Sequence, residues 1–152
     1  MILGMHHAAI ATQNPETLIQ FYCNAFGFEM VYERPWTDKP QNEAMFNLQK
    51  SAARVTVLRL GALHLEVFAL SKPPTGPNDF DRPVSEAGFI HIGFEVTEIE
   101  AEFVRLEKAG VTWHAPPTAG PGVRAAYGRD PDGNALEILE IFDDHPLKCE
   151  SI

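Results

Sequence analysis

The stretch Ile90-His91-Ile92-Gly93-Phe94-Glu95-Val96, running on through Thr97-Glu98-Ile99-Glu100 to Ala109-Gly110-Val111, decides the fold, because the chain carries the same pattern earlier. The first copy reads His6-His7-Ala8-Ala9-Ile10-Ala11-Thr12, then Asn14-Pro15-Glu16, then Phe26-Gly27-Phe28. His7 answers to His91 and Gly27 to Gly110, with one residue of slippage at the start of the intervening segment. Self-similarity of this kind marks a duplicated supersecondary unit.

Each copy opens as a strand. Ile90, Ile92, Phe94 and Val96 alternate onto one face, and His91, Gly93 and Glu95 onto the other. His7, Ala9 and Ala11 share a face in the first copy. Both histidines thus have a small residue two positions on, which leaves space in front of the imidazole. A helix follows each strand. Asn14 is placed as an N-cap with Pro15 at the first helical position, Leu18, Ile19, Tyr22, Ala25 and Phe26 recur at helical spacing, and Gly27 stops the run. In the second copy Thr97-Glu98-Ile99-Glu100 reads as a capping box, Ile99, Phe103, Leu106 and Ala109 form the stripe, and Gly110 ends it.

Strands are expected next over 29–34, 44–48, 54–60 and 62–70, with a hairpin at Gly61, and over 112–114, 123–129 and 135–142 in the second copy. Asp130-Pro131-Asp132-Gly133-Asn134 supplies a tight turn between the last two. Two stretches read as irregular: 71–87, which contains Lys72-Pro73-Pro74-Thr75-Gly76-Pro77, and the Pro- and Gly-rich 115–122. The expected organisation is a first module over 4–70, a linker over 71–87, a second module over 88–143 and a polar tail over 144–152.

Composition agrees with a small globular chain. Its 152 residues suit one domain or two half-domains sharing a core. Apolar residues make up 45% and charged residues 22%, which argues against a disordered chain. The net charge is −9 and no basic cluster is present, which argues against nucleic acid or an anionic membrane surface as partner. No apolar run approaches the 18 or so residues of a spanning helix. Met1-Ile2-Leu3-Gly4 lacks the basic start of a signal peptide, and two cysteines, Cys23 and Cys149, make no disulfide framework. A cytoplasmic protein with reduced thiols is the expectation.

The chemistry sits where the repeat repeats. Glu66 lies in Leu63-His64-Leu65-Glu66-Val67-Phe68, on the face shared by His64 and Phe68. Glu137 takes the equivalent place in Ala135-Leu136-Glu137-Ile138-Leu139. A lone Glu in a strand is ordinarily solvated. One His on the first strand and one Glu on the last strand, twice over, is a different matter. Paired buried carboxylates are costly unless a cation neutralises them. His7, Glu66, His91 and Glu137 make a two-nitrogen, two-oxygen set suited to one divalent metal ion.

The chain resembles the vicinal oxygen chelate superfamily, which holds glyoxalase I, methylmalonyl-CoA epimerase, extradiol dioxygenases and the fosfomycin- and bleomycin-resistance proteins. The resemblance rests on His7 in His-His-Ala-Ala-Ile, Phe21-Tyr22 with Phe26-Gly27-Phe28, and Glu66 in Leu-Glu-Val-Phe. It continues with His91 in Ile-His-Ile-Gly-Phe-Glu-Val, Ala109-Gly110-Val111, and Asp130-Pro131-Asp132-Gly133-Asn134 leading to Glu137, and spans about residues 4 to 143. It implies an α+β fold of two βαβββ modules forming a curved mixed sheet around a central cavity, often as a homodimer. The metal set of the bacterial glyoxalase I type is similar to His7, Glu66, His91 and Glu137 position by position. The resemblance implies Ni, Co, Zn, Mn or Fe at that set, and Glu137 or Glu66 as the catalytic base. Proton transfer next to a carbonyl builds negative charge that a cation stabilises, and a carboxylate can take the proton.

The implied activity is a metal-dependent lyase, isomerase or epimerase acting on a small carbonyl compound. The alternatives are a metal-independent binding or resistance protein for an antibiotic or aromatic molecule, and an extradiol-type dioxygenase. Val67-Phe68-Ala69 after Glu66 departs from the polar segment usual in glutathione-dependent members. Glu66 itself departs from the Gln of the epimerases and the His of the dioxygenases. Four further residues are expected at the pocket: His64 beside Glu66, Tyr127 in the strand before the turn, and Trp36 and Phe46 as an apolar wall. His6 competes with His7 and is expected to face the helix layer or solvent, and His114 is expected to be exposed.

Overall fold

Pro15 and Gly27 bound the first helix as their chemistry dictates. In the computed structural model, which describes residues 1–37, 39–142 and 145–148, α1 runs Pro15–Phe26 and Gly27 closes it at φ 74°. The backbone N–H groups of Gly27 and Phe28 bond back to Cys23 and Tyr22. Cys149 and most of the polar tail lie outside the described residues.

The chain divides into two units, 1–78 and 79–152, each with its own sheet. The first contains β1 (His7–Ala11), α1, β2 (Glu29–Trp36), α2 (Pro40–Phe46), β3 (Ala52–Leu60) and β4 (Leu63–Lys72). Its strand order is β1-β4-β3-β2. The second contains β5 (Ile92–Glu95), α3 (Ile99–Lys108), β6 (Thr112–Trp113), β7 (Thr118–Gly120), β8 (Val123–Arg129) and β9 (Ala135–Ile141). Its order is β5-β9-β8-β6, with β7 also paired to β8. In both units the first strand lies parallel to the last and the remaining pairs are antiparallel. A parallel neighbour needs a crossover, and α1 and α3 provide it. These are two βαβββ modules of an α+β fold.

Burial follows from the period of each element. α1 packs on β4, and Leu18, Phe21, Tyr22 and Ala25 are buried there with Leu65 and Val67. α3 packs on β9 and β8, with Ile99, Leu106, Leu136 and Ile138 fully buried. Each such aliphatic side chain contributes about 1.5–3 kcal/mol through burial. Trp113 fastens β6 to α3: its indole N–H donates to the Phe103 carbonyl at 3.0 Å and its ring stacks on Phe103.

Four local expectations are corrected. Residues 44–48 are not a strand; Pro40 sits in the first turn of α2, which ends at Asn47 in the left-handed region. The Glu43 carboxylate accepts the Lys50 N–H at 2.7 Å and ties down the following turn. The expected capping box at Thr97 does not form. The N-cap is Glu98 at φ 55°, and its backbone N–H is held by Glu140 of β9 at 2.7 Å. β5 begins at Ile92, so His91 stands just before the strand. Part of the stretch 115–122 forms β7, because Thr118–Gly120 finds a free edge on β8.

Candidate metal centre

Parallel pairing of first and last strands sets the positions of the candidate ligands. In the first unit the β1–β4 register places Ala9 opposite Glu66, and His7 precedes Ala9 on the same face. His7 Nε2 lies 3.7 Å from Glu66 Oε2. In the second unit Gly93 stands opposite Glu137, and His91 precedes it by the same two residues. His91 Nε2 lies 3.2 Å from Glu137 Oε2. Neighbouring donors on one metal ion, each about 2.0–2.2 Å from it, are themselves roughly 3.0–3.5 Å apart. Each pair therefore has a spacing close to a chelating bite. Among the described residues, no three His, Cys, Asp or Glu side chains gather as a metal-holding group. What the structure brings together is His7 with Glu66 and His91 with Glu137.

The loop before β9 fixes Glu137 from one side. Asp130 is buried, and its Oδ1 accepts the backbone N–H groups of Asp132 and Asn134, each at 2.9 Å. Its Oδ2 accepts the Asn134 side-chain amide. That clasp sets the β8–β9 register, in which Tyr127 faces Glu137. Hydrogen bonding to the facing Glu137 carboxylate, with burial and that carboxylate's negative charge, pushes the Tyr127 phenol up to about 12. The Tyr127 ring also meets the His91 ring edge to face at 5.3 Å between centroids.

The other expected pocket residues are distributed as follows. His64 is opposite His7 in the register and stacks on the His6 ring at 4.7 Å. His6 is exposed, and its Nδ1 lies 3.0 Å from His7 Nδ1. Trp36 and Phe46 pack edge to face at 4.7 Å and line a cavity of about 320 Å³ within the first unit. Tyr127 and His91 line a second cavity, of about 450 Å³, within the second unit. His114 lines it too, with its backbone N–H bonded to the Tyr127 carbonyl. His114 is exposed, as expected, and directly follows β6, which pairs with β8 through Thr112 and Trp113. Arg54 and Arg59 are engaged in ion pairs with Glu16 and Glu29, and Arg124 with Glu100.

Residues 4–138 match the family model described as the Glyoxalase/Bleomycin resistance protein/Dioxygenase superfamily. Solved structures share the fold. A glyoxalase family protein from Bacillus cereus aligns at TM-score 0.83 and 18% identity, covering 94% of this chain and 97% of that one. A glyoxalase family protein from Enterococcus faecalis aligns at TM-score 0.68 and 26% identity, covering 91% and 98%. A fosfomycin resistance protein from Listeria monocytogenes, solved with Mn(II) and sulfate, aligns at TM-score 0.63 and 20% identity, covering 97% and 100%. No curated protein matches the sequence.

Proposed function

The chain belongs to the Glyoxalase/Bleomycin resistance protein/Dioxygenase superfamily, and on that premise we propose that it is a metal-dependent enzyme that moves a proton next to the carbonyl of a small molecule. The observation that carries this reading is the recurrence of a His–Glu pair at near-chelating spacing in the same place of both modules. His7 with Glu66, and His91 with Glu137, each offer a nitrogen and an oxygen donor to a divalent ion, drawn from Ni, Co, Zn, Mn or Fe. Imidazole nitrogen and carboxylate oxygen suit all five. The Mn(II) in the Listeria fosfomycin resistance structure supports a divalent ion of this kind.

Such an ion supplies a Lewis acid that draws electron density from a substrate carbonyl. The two glutamates then differ in what they are free to do. Glu137 is faced by Tyr127 across the β8–β9 register as well as paired with His91. Glu66 is paired with His7 alone among the described residues, and at a longer distance. Glu66 is therefore assigned as the base: one of its oxygens takes the proton from the carbon beside the carbonyl and returns it. Glu137 is assigned as a fixed ligand. The Tyr127 hydroxyl, which keeps its proton, is assigned to orient that carboxylate by hydrogen bonding.

The test is a screen of α-hydroxy and α-keto carbonyl compounds on protein loaded with each metal, scored by exchange of solvent deuterium into the acidic carbon. Metal-dependent exchange that disappears in Glu66→Gln is the expected result. No metal uptake on purified protein, with no thermal stabilisation by any of the five ions, overturns the reading.

A further inference from the structure

We propose that the cavity in the first unit receives an uncharged apolar group of the substrate, an aryl or branched alkyl substituent, and that the small side chains on its floor set the size of that group. The inference rests on the proposed function for the remainder of the substrate and extends it to the substrate's class.

The cavity measures about 320 Å³, within the range of roughly 300–1,000 Å³ usual for ligand sites. Its floor is made of Ala9, Ala11 and Ala53, and its walls of Trp36, Phe46 and Phe68. No charged side chain lines it, and its polar side chain is that of Ser51. That hydroxyl already accepts the Trp36 indole N–H at 3.2 Å, so the aromatic wall has no free donor to offer a ligand. A phosphate, carboxylate or peptide tail would lose its hydration there with nothing in return, whereas a ring would not.

Position ties the cavity to the chemistry. Ala9 and Ala11 follow His7 on one face of β1, and Phe68 follows Glu66 on the same face of β4. The register pairs Ala9 with Glu66 and Ala11 with Phe68. Two residues of strand cover roughly 7 Å. A molecule whose oxygens sit at the His7–Glu66 pair thus reaches the cavity with a substituent one ring in size. Large side chains at Ala9, Ala11 and Ala53 would fill that volume, and helix α2 brings Phe46 onto Trp36 and Phe68 at its open rim.

The two indoles give a readout that does not depend on metal. In chelator-treated protein, 1-phenylethanol is expected to shift the indole N–H cross-peak of Trp36 and leave that of Trp113 in place. Its affinity is expected to be at least tenfold above that of propan-2-ol, which lacks the ring. Ala11→Leu is expected to abolish the Trp36 shift, and Phe46→Ala, on an exposed part of α2, to weaken it. In metal-loaded protein, mandelate is expected to bind at least tenfold more tightly than lactate. A Trp36 shift without metal uptake upholds the cavity assignment and overturns the proposed function. Metal uptake with no Trp36 shift, and with mandelate no tighter than lactate, overturns the cavity assignment and leaves the proposed function standing. A Trp36 cross-peak that moves with protein concentration instead of with the probe means that a second copy covers the cavity, and also overturns it.

Discussion

The two modules carry the same donor pair on different supports. Opposite Glu66 on the neighbouring strand stands Val57, whereas opposite Glu137 stands Tyr127. On the parallel side Glu66 faces Ala9 and Glu137 faces Gly93. The second pair is shorter, 3.2 Å against 3.7 Å. It is also less exposed, 27% and 14% for its His and Glu against 43% and 21% in the first unit. The segment between second and third strands differs as well: α2 in the first unit builds an apolar cavity, and β7 in the second simply extends the sheet. The His–Glu pair recurs while its surroundings differ, so Tyr127 stands against one carboxylate and Val57 against the other.

The largest effect that tests this contrast is on turnover. Glu66→Gln is expected to lower metal-dependent proton exchange by about 10²–10⁴, the usual worth of a positioned general base. Glu137→Gln is expected to act first on the metal, weakening affinity in calorimetry beyond the roughly 10–100-fold typical of an outer partner. Equal loss of affinity in both variants, with the same residual rate, would remove the division of labour.

The modules are expected to be alike in their cores. Leu58 and Leu136 are each completely buried on the helix-facing side of their sheets. Either one changed to Ala is expected to cost about 2–5 kcal/mol in urea unfolding. A cost below about 1 kcal/mol at either position would show that its core closes over the gap.

Next comes the tyrosine. Tyr127→Phe keeps the ring against His91 and removes the hydroxyl from Glu137. Metal affinity is expected to fall about tenfold. Val57→Tyr is the reverse experiment: it offers Glu66 a donor from the corresponding strand and is expected to slow exchange while leaving metal affinity intact.

How much of this the sequence disclosed depends on whether the signal was local or shared between strands. Pro15 and Gly27 mark α1 to the residue because a fixed φ and a left-handed backbone are properties of single residues, although the Asn14 side chain makes no cap bond. The alternation around Glu66 and Glu137 placed both on strands for the same reason. The capping box at Thr97 is absent because the helix takes Glu98 as its N-cap, one residue later, with the Glu98 N–H bonded to Glu140 forty-two residues away. The stretch Ala44-Met45-Phe46-Asn47-Leu48 is too short to show a clear period, and Phe46 of α2 packs on Trp36 and Phe68 from strands β2 and β4. The facing of Tyr127 and Glu137 follows from the β8–β9 register, whose connecting turn Asp130 closes. His114 is exposed as expected, and its backbone bond to Tyr127 arises from strand pairing and not from spacing.

The smallest effect concerns the residue opposite each glutamate, and it separates fold from site. A Cβ added at Gly93 would lie 3.4 Å from Glu137 Oε2 and 3.8 Å from Leu139 Cδ2, both ordinary contacts. Gly93 is not among the glycines with positive φ, so Ala fits its backbone. Gly93→Ala is therefore expected to stabilise the protein by about 0.4–1 kcal/mol, because Ala leaves the unfolded chain fewer conformations. It is expected at the same time to weaken metal binding by about threefold, roughly 0.6 kcal/mol, as the new methyl limits the approach of Glu137 to His91. Ala9→Gly should reverse both signs in the first unit. Melting and calorimetry on the same two variants decide the matter. Stability and affinity moving in the same direction would mean that the shorter second pair owes nothing to the missing side chain at Gly93.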